Sequence, residues 1–501
     1  MADPAPHTRV AWSEIATRDH APALALVCLG VWLHAADGLI VATMLPAIVA
    51  EIGGGALVAW SVALYEIGSI VAGATGGFLA VRYGLRLPMT LAGILFAIGC
   101  LVSAFAPTMP VLLSGRLLQG LGGGGLMALS FVAVSLLFPE RLMARAMAAI
   151  SALWGVSSFL GPLIGGLFVQ YATWRAGFVF FAAQAFALAL WIGFAAKLGA
   201  RPPAAGLSKT VPVLRLAVLA AGIVSIAWAG IDIHPVATPA FIAAGAVLLI
   251  VFVVLDGRAG ADRLLPPVPF GLVTAHGSAL TMVLAMSAAT IAITAYGPLL
   301  VVAIHGVSAI VAGYLVACSA VGWTVFAIIV SGADPRHDPK YIAVGMAMVV
   351  LSIVGFALAV PAGPVWLIAI VAVIEGGGFG IAWTFILRRV TTLSDPAETE
   401  RVSGAIPTVQ RLGYALGAAY IGIIANAAGF AEAETADAFL PAARWVFLGS
   451  LLLALLGLVA MARFVSPGVA RARRGAMAEA GQLASPNAQP DSIDPDAASE
   501  R

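Results

Sequence analysis

Five ionisable residues lie inside long apolar stretches of the sequence: Asp37, Glu66, Arg116, Glu375 and Arg411. A charge at the middle of a membrane-spanning helix costs about 2.5 to 3.5 kcal/mol even on the mildest scale, so such residues indicate function. A carboxyl group in a low-dielectric cavity can exchange a proton in response to a neighbouring cation or a bound substrate. These residues therefore predict proton-coupled chemistry within a membrane.

Asp37 and Glu66 are the main candidates for carrying the proton. They lie about 20 Å and about 15 Å from the same predicted membrane surface, at 1.5 Å per helical residue, so they can share a depth. His34 precedes Asp37 by one turn on the same helix face and is either a third participant or an interior histidine that only packs. Arg116 keeps its charge, so we expect it to neutralise a carboxylate or be displaced by a cation. The alternative for each acid is a structural hydrogen bond between helices.

Glu375 and Arg411 form a second pair of candidates, both near the predicted midplane in the second half of the chain. Either one alone would be an uncompensated buried charge, which is strongly destabilising. We therefore expect an ion pair between them, with either a functional or a purely structural role.

The composition indicates which elements must position these residues. Of 501 residues, 61% are hydrophobic and 10% are charged, whereas an ordinary soluble protein is about half apolar and about a quarter charged. This excludes a soluble enzyme, and the net charge of +2 with scattered basic residues gives no nucleic-acid footprint. No nucleotide-binding or zinc motif has the required context, so we expect no cofactor and no metal. Residues 1–20 lack the apolar core of a signal peptide.

Apolar stretches of about 20 residues, the length that crosses a bilayer, recur fourteen times. The sequence predicts an all-α membrane protein with two six-helix bundles and two extra central helices. The predicted units are a cytoplasmic segment (1–20), a first bundle (21–196), a two-helix insertion with its loops (197–268), a second bundle (269–464) and a disordered tail (465–501). The predicted helices are 21–50, 56–80, 88–106, 110–137, 144–170, 176–196, 212–231, 238–255, 270–304, 308–331, 341–360, 363–387, 402–428 and 443–464.

The basic residues predict the orientation, because loops on the cytoplasmic side retain lysine and arginine. With these helices, 22 of the 26 basic residues fall on one side and two, Arg175 and Arg444, fall on the other. The remaining two, Arg116 and Arg411, lie within helices. Both chain termini are therefore predicted to be cytoplasmic.

Four motifs resemble the major facilitator superfamily, and within it the fourteen-helix drug:proton antiporters. ADGLIVATMLPAI (36–48) is similar to the signature of the first helix, and RLLQGLGGG, which begins at Arg116, is similar to the motif of the fourth. GGFLAVRYGLR (76–86) resembles the loop motif after the second helix, and GVSSFLGPLIGG (155–166) resembles the antiporter motif of the fifth. The motif residues are Gly77, Arg82, Gly84 and Arg86 in the loop, and Gly155, Gly161, Pro162, Gly165 and Gly166 in the antiporter motif.

This resemblance implies proton-driven export by alternating access. We predict an inner-membrane transporter that exports lipophilic, cationic small molecules. Its predicted partners are a small-molecule substrate, protons and the lipid bilayer, with no nucleic acid and no obligate protein partner. Transport of a specific metabolite such as a siderophore, an amino acid or a lipid, including uptake, is the alternative. A membrane enzyme or sensor is a more remote one.

Two positions depart from the family pattern. Val81 occupies the position of an aspartate that helps to close the cytoplasmic side in relatives, and a valine cannot make that charged contact. Glu66 occupies a position that is usually apolar. The extra acid favours a cationic substrate or a second proton.

Overall fold

The computed structural model describes residues 11–195, 198, 211–395 and 398–466, and the regular elements among them are helical. A single turn, α1 (Trp12–Ile15), precedes fourteen longer helices, and twelve helical segments are long and apolar enough to cross a membrane. The longer helices are α2 (Ala21–Ile52), α3 (Val58–Tyr83), α4 (Arg86–Ala104), α5 (Met109–Leu137), α6 (Glu140–Tyr171), α7 (Trp174–Leu190), α8 (Val213–Trp228), α9 (Ala237–Gly257), α10 (Ala275–His305), α11 (Ala309–Val330), α12 (Asp338–Ala362), α13 (Val365–Leu393), α14 (Thr399–Ala427) and α15 (Ala436–Val465).

Each predicted helical segment coincides with one helix of the described structure, but the start of the last was predicted seven residues too late. α15 begins at Ala436, where the Thr435 side chain caps it, and it continues through Pro441. α8 and α14 are not among the twelve candidate spans. α8 has only 16 residues, and α14 carries the polar residues Gln410 and Arg411 along its length.

Hydroxyl side chains cap the beginnings of several helices. A capping oxygen satisfies one of the backbone N–H groups that the first helical turn leaves unpaired. At the other end, Gly84 ends α3 and Gly306 ends α10, both with positive φ (74° and 63°), which glycine adopts without steric cost. The capping residues that accept such a bond are Thr173, Thr274, Ser308 and Thr435.

The long helices pack into two bundles. One apolar core lies mainly among α2–α7 and includes Phe96 and Phe178. A second core lies mainly among α10–α15 and includes Phe385 and Phe464. We refer to α2–α7 as the N-half and to α10–α15 as the C-half. The exact domain boundaries remain a prediction. Residues 1–10, 199–210 and 467–501 lie outside the described part of the chain, and so does the predicted tail, except for Val465, which ends α15, and Ser466.

The α8–α9 pair is fastened to the C-half and covers the seam between α3 and α14. Arg215 on α8 contacts Asp256 on α9 at 2.5 Å, and the Asp256 carboxylate also accepts the backbone N–H of Leu265. In the following segment, Arg263 forms an ion pair with Glu398, directly before α14. The insertion is therefore held by one buried and one half-buried charge-assisted bond as well as by apolar packing.

The two halves meet mainly at one end of the molecule. We call the end where α2 begins and α15 finishes the termini face, and the opposite end the far face. At the far face Asn426 donates to the carbonyl oxygens of Ala56 (2.9 Å) and Gly230 (2.6 Å). Toward the termini face, Gly73 of α3 and Gly404 of α14 are exposed, with no atom within 4 Å of an added Cβ. The cleft between the halves is therefore closed at the far face and opens toward the termini face.

Candidate functional site

Asp37 on α2 and Arg116 on α5 form a buried ion pair in the N-half. Arg116 Nη1 lies 2.5 Å from Asp37 Oδ2, and each side chain is only 3% exposed. The same guanidinium donates to Gln119 Oε1 at 2.9 Å and to the Ser61 carbonyl oxygen at 3.3 Å. It also lies 4.5 Å from the centre of the Tyr65 ring. With these partners, neither buried charge is left uncompensated.

A glycine run on α5 brings this arginine to the carboxylate. A Cβ added at Gly120 would lie 2.1 Å from the Tyr65 carbonyl oxygen of α3, and one added at Gly122 would lie 2.4 Å from the Phe96 nitrogen of α4. Only glycine allows α5 to approach both neighbours this closely. The run therefore serves close packing of α5 against α3 and α4.

A second set of contacts joins the two halves through Arg411 of α14. Arg411 Nη1 lies 3.1 Å from Glu66 Oε2 on α3, and Nη2 lies 2.6 Å from His34 Nε2 on α2. Nη2 also lies 3.0 Å from the sulfur of Met127 on α5. One C-half side chain thus contacts three N-half helices.

The contacts of His34 define its protonation in this state. A guanidinium only donates hydrogen bonds, so Nε2, which faces Arg411, must accept. Nδ1 then carries the single ring proton and donates to the Tyr65 hydroxyl oxygen at 2.9 Å, while that hydroxyl donates to the His34 carbonyl oxygen at 3.3 Å. His34 is therefore a neutral imidazole that links Tyr65 to Arg411.

The predicted ion pair between Glu375 and Arg411 is wrong. Arg411 points across the cleft to Glu66, and no salt bridge joins Glu375 to any described residue. Glu375 is 4% exposed on α13, with the Ser319 hydroxyl of α11 within hydrogen-bonding reach. Depth in the membrane can be estimated from sequence, but the direction in which a helix presents a side chain depends on packing, which here turns Arg411 toward α3.

The predicted antiporter motif of α6 divides between two neighbours. Gly161 and Gly165 face Leu39 and Ile40 of α2, within the N-half, while Gly166 and Pro162 face α11 of the C-half. A Cβ added at Gly166 would lie 2.0 Å from Ile310 Cγ1, and one added at Gly313 would lie 2.9 Å from Pro162 Cβ. Gly155 has no neighbour within 4 Å of an added Cβ. Part of the motif is thus a seam between the halves.

The predicted loop motif lies at the termini face, between α3 and α4. Arg82 is exposed and donates through Nε to the Tyr83 hydroxyl at 3.1 Å. Gly84 provides the positive φ that ends α3, and Arg86 begins α4. Gly77 lies two turns earlier on α3, and half-buried Val81 supplies no charge.

Tyr65, Gln119 and Met127 belong to the network but were not among the predicted site residues. Gln119 follows Arg116 by three residues and therefore shares its helix face, which is a signal that sequence alone contains. Tyr65 directly precedes the predicted site residue Glu66, and this adjacency is also visible in the sequence. Met127 offered no signal, because methionine is an ordinary packing residue.

Comparison with known proteins places this chain within a family. The profile of the Major Facilitator Superfamily matches residues 27–418. A probable multidrug-efflux transporter of Mycobacterium tuberculosis is 33% identical over 461 residues, which cover 90% of this chain and 95% of that protein. Azole resistance protein 1 of Saccharomyces cerevisiae is 32% identical over 152 residues, 30% of this chain and 25% of that protein. A solved POT family transporter shares the fold with a TM-score of 0.62 at 14% identity, covering 91% of this chain and 98% of that one. The chain is therefore a multi-pass membrane protein that belongs to the Major Facilitator Superfamily of transporters.

Proposed function

We propose that this transporter exports lipophilic cations across the cytoplasmic (inner) membrane in exchange for protons. The names of two relatives, a probable multidrug-efflux transporter and an azole resistance protein, support export of drugs. The observation that carries the proposal is the contact of C-half Arg411 with N-half Glu66 and His34. Both of these partners can bind a proton, and both contribute to holding the halves together.

The proposed topology has fourteen membrane-spanning helices with both termini in the cytoplasm. It is supported by the 22 basic residues that fall on the predicted cytoplasmic side. In this topology the termini face is cytoplasmic and the structure represents an inward-open state. Cargo would enter the cleft from the cytoplasm while Asn426 holds the far face closed.

Protonation acts in this proposal by removing acceptors from the two arginines. A proton on Glu66, or on Nε2 of His34, removes a partner of Arg411, and a proton on Asp37 removes the carboxylate that neutralises Arg116. A buried arginine without its acceptor is costly, so each event favours the state in which that arginine finds another partner. Only such differential affinity between two states can couple a proton to a conformational change.

Transport in proteoliposomes tests the proposal, with ethidium as the probe. We expect an acidic lumen to drive ethidium into the liposomes with the wild-type protein, and Asp37→Asn and Glu66→Gln each to reduce this accumulation at least tenfold. Arg141→Gln is the matched control, because its exposed ion pair with Glu14 lies at the surface and removal of a surface pair has little effect. Accumulation driven by acid outside instead, or full activity of both acid variants, would contradict the proposal.

A further inference from the structure

Glu375 is a buried carboxyl group without a positively charged partner among the described residues. It is 4% exposed, whereas Trp366, nine residues earlier on α13, is 63% exposed. Nine residues are two and a half helical turns, so Glu375 lies on the opposite side of α13, toward the interior of the bundle. Burial of an ionised carboxylate is costly unless a cation is nearby, so this position is suited to a cation that arrives from outside.

Three aromatic side chains form a cluster next to this carboxyl group. The rings of Trp323 on α11 and Phe379 on α13 are stacked, with centroids 5.5 Å apart and an angle of 8° between their planes. Trp383, one turn further along α13, lies 5.6 Å from Trp323 at 53°. Trp323 and Trp383 are both half-buried, so parts of their surfaces are accessible.

The packing of α11 against α13 brings the carboxyl group and the rings together. A Cβ added at Gly376 would lie 1.6 Å from the Ser319 carbonyl oxygen, and one added at Gly380 would lie 2.2 Å from the Trp323 carbonyl oxygen. The two helices therefore run in register. Glu375 lies one turn, about 6 Å along the axis, from the level of the stacked rings.

An acid one turn away from a cluster of aromatic faces is suited to a lipophilic organic cation. Aromatic faces attract cations by about 0.5 to 2 kcal/mol each, and tryptophan is the strongest of them. A neutral lipophilic molecule or an anion gains the ring contacts but not the ion pair, because neither compensates an ionised carboxylate at this buried position. The carboxyl group thus distinguishes a cation from neutral and anionic cargoes of similar shape.

We propose that Glu375, Trp323, Phe379 and Trp383 form the site that receives the positive charge of an organic cation. The inference rests on the proposed function, since it names the cargo site of that exporter. It places cargo recognition in the C-half and the arginine network that responds to protons mainly in the N-half. The rings lie on the termini side of Glu375, which is the side toward which the cleft opens.

Equilibrium dialysis of the purified, full-length protein tests this site without any transport. The probes are tetraphenylphosphonium, a lipophilic cation, and triphenylphosphine oxide, a neutral relative. We expect Glu375→Gln to weaken tetraphenylphosphonium binding at least tenfold and to change triphenylphosphine oxide binding less than threefold. Trp383→Leu should weaken tetraphenylphosphonium binding about threefold, the loss of one cation–π contact, and the matched Trp366→Leu should not.

The outcomes separate this inference from the proposed function. Wild-type affinity for tetraphenylphosphonium in Glu375→Gln would overturn the cation site, and so would an equal loss of both probes. If the Glu375→Gln variant does not fold, the tetraphenylphosphonium affinities of Trp383→Leu and Trp366→Leu decide. Equal affinities of these two variants would then overturn the site. In parallel, failure of ethidium exchange in wild-type proteoliposomes would overturn the proposed exporter. If the wild-type protein exchanges ethidium and Glu375→Gln keeps both this exchange and the wild-type affinity for tetraphenylphosphonium, only the cation site is overturned.

Discussion

The contact between Glu66 and Arg411 can be tested with a double-mutant cycle. Arg411 Nη1 lies 3.1 Å from Glu66 Oε2, and the two side chains are 18% and 13% exposed. Two unit charges at that distance attract each other by about 5 kcal/mol at an effective dielectric constant of about 20. The cost of removing both from water offsets much of this attraction, so we expect a net coupling free energy of about 1.5 to 3 kcal/mol, typical of hydrogen bonds between charged groups.

The variants are Glu66→Gln, Arg411→Met and the double variant. Each single change leaves one buried charge without its partner, so each should lower the free energy of unfolding by about 3 to 5 kcal/mol. The double variant leaves neither charge and should cost less than the sum of the two. The free energies can be measured by SDS titration of the protein in dodecylmaltoside micelles, followed by far-UV circular dichroism.

Additive costs within about 0.5 kcal/mol would refute the contact, because independent sites behave in that way. A second cycle with Glu375→Gln and Arg411→Met serves as the control. We expect additivity there, since Glu375 and Arg411 form no ion pair in the structure. Coupling in the second cycle but not in the first would restore the pairing that the sequence predicted.

Two further predictions concern the closed far face. Asn426→Ala removes two hydrogen bonds, worth about 1 to 3 kcal/mol together, and should increase the population with an open far face, measured as longer distances between spin labels on the two halves. Gly166→Ala places a methyl group against Ile310 at the seam and should lower transport and far-face closure. Gly155→Ala, in the same motif but without a neighbour, should alter neither measurement.

The positions of the helices could be predicted from the sequence, because each apolar stretch is bounded by charges or by proline and glycine. The depth of a residue could be predicted as well, since it depends only on the rise per residue. Asp37 and Glu66 accordingly belong to one network, through Arg116, Tyr65, His34 and Arg411.

The partner of Arg411 could not be predicted, because it depends on how α14 is rotated. Glu375 and Glu66 lie at comparable predicted depths, so both were possible partners, and only Glu375 belongs to the same half. Contacts between α3 and α14 decide in favour of Glu66. The aromatic cluster of Trp323 and Trp383 was missed for the same reason, since stacking between two helices leaves no pattern in either one.

The free energies of its contacts limit how far the arginine network alone can shift the equilibrium between the open states. Reversing a two-state equilibrium from 1:99 to 99:1 requires about 5.5 kcal/mol of differential binding. Loss of the Arg411 contact with Glu66 supplies about 1.5 to 3 kcal/mol, which is between about a quarter and about half of that free energy. The remainder must come from other groups, and the buried contact between Arg116 and Asp37 is the other one in the network that a proton removes. A proton on Glu66 alone should therefore shift the population of open states only partly.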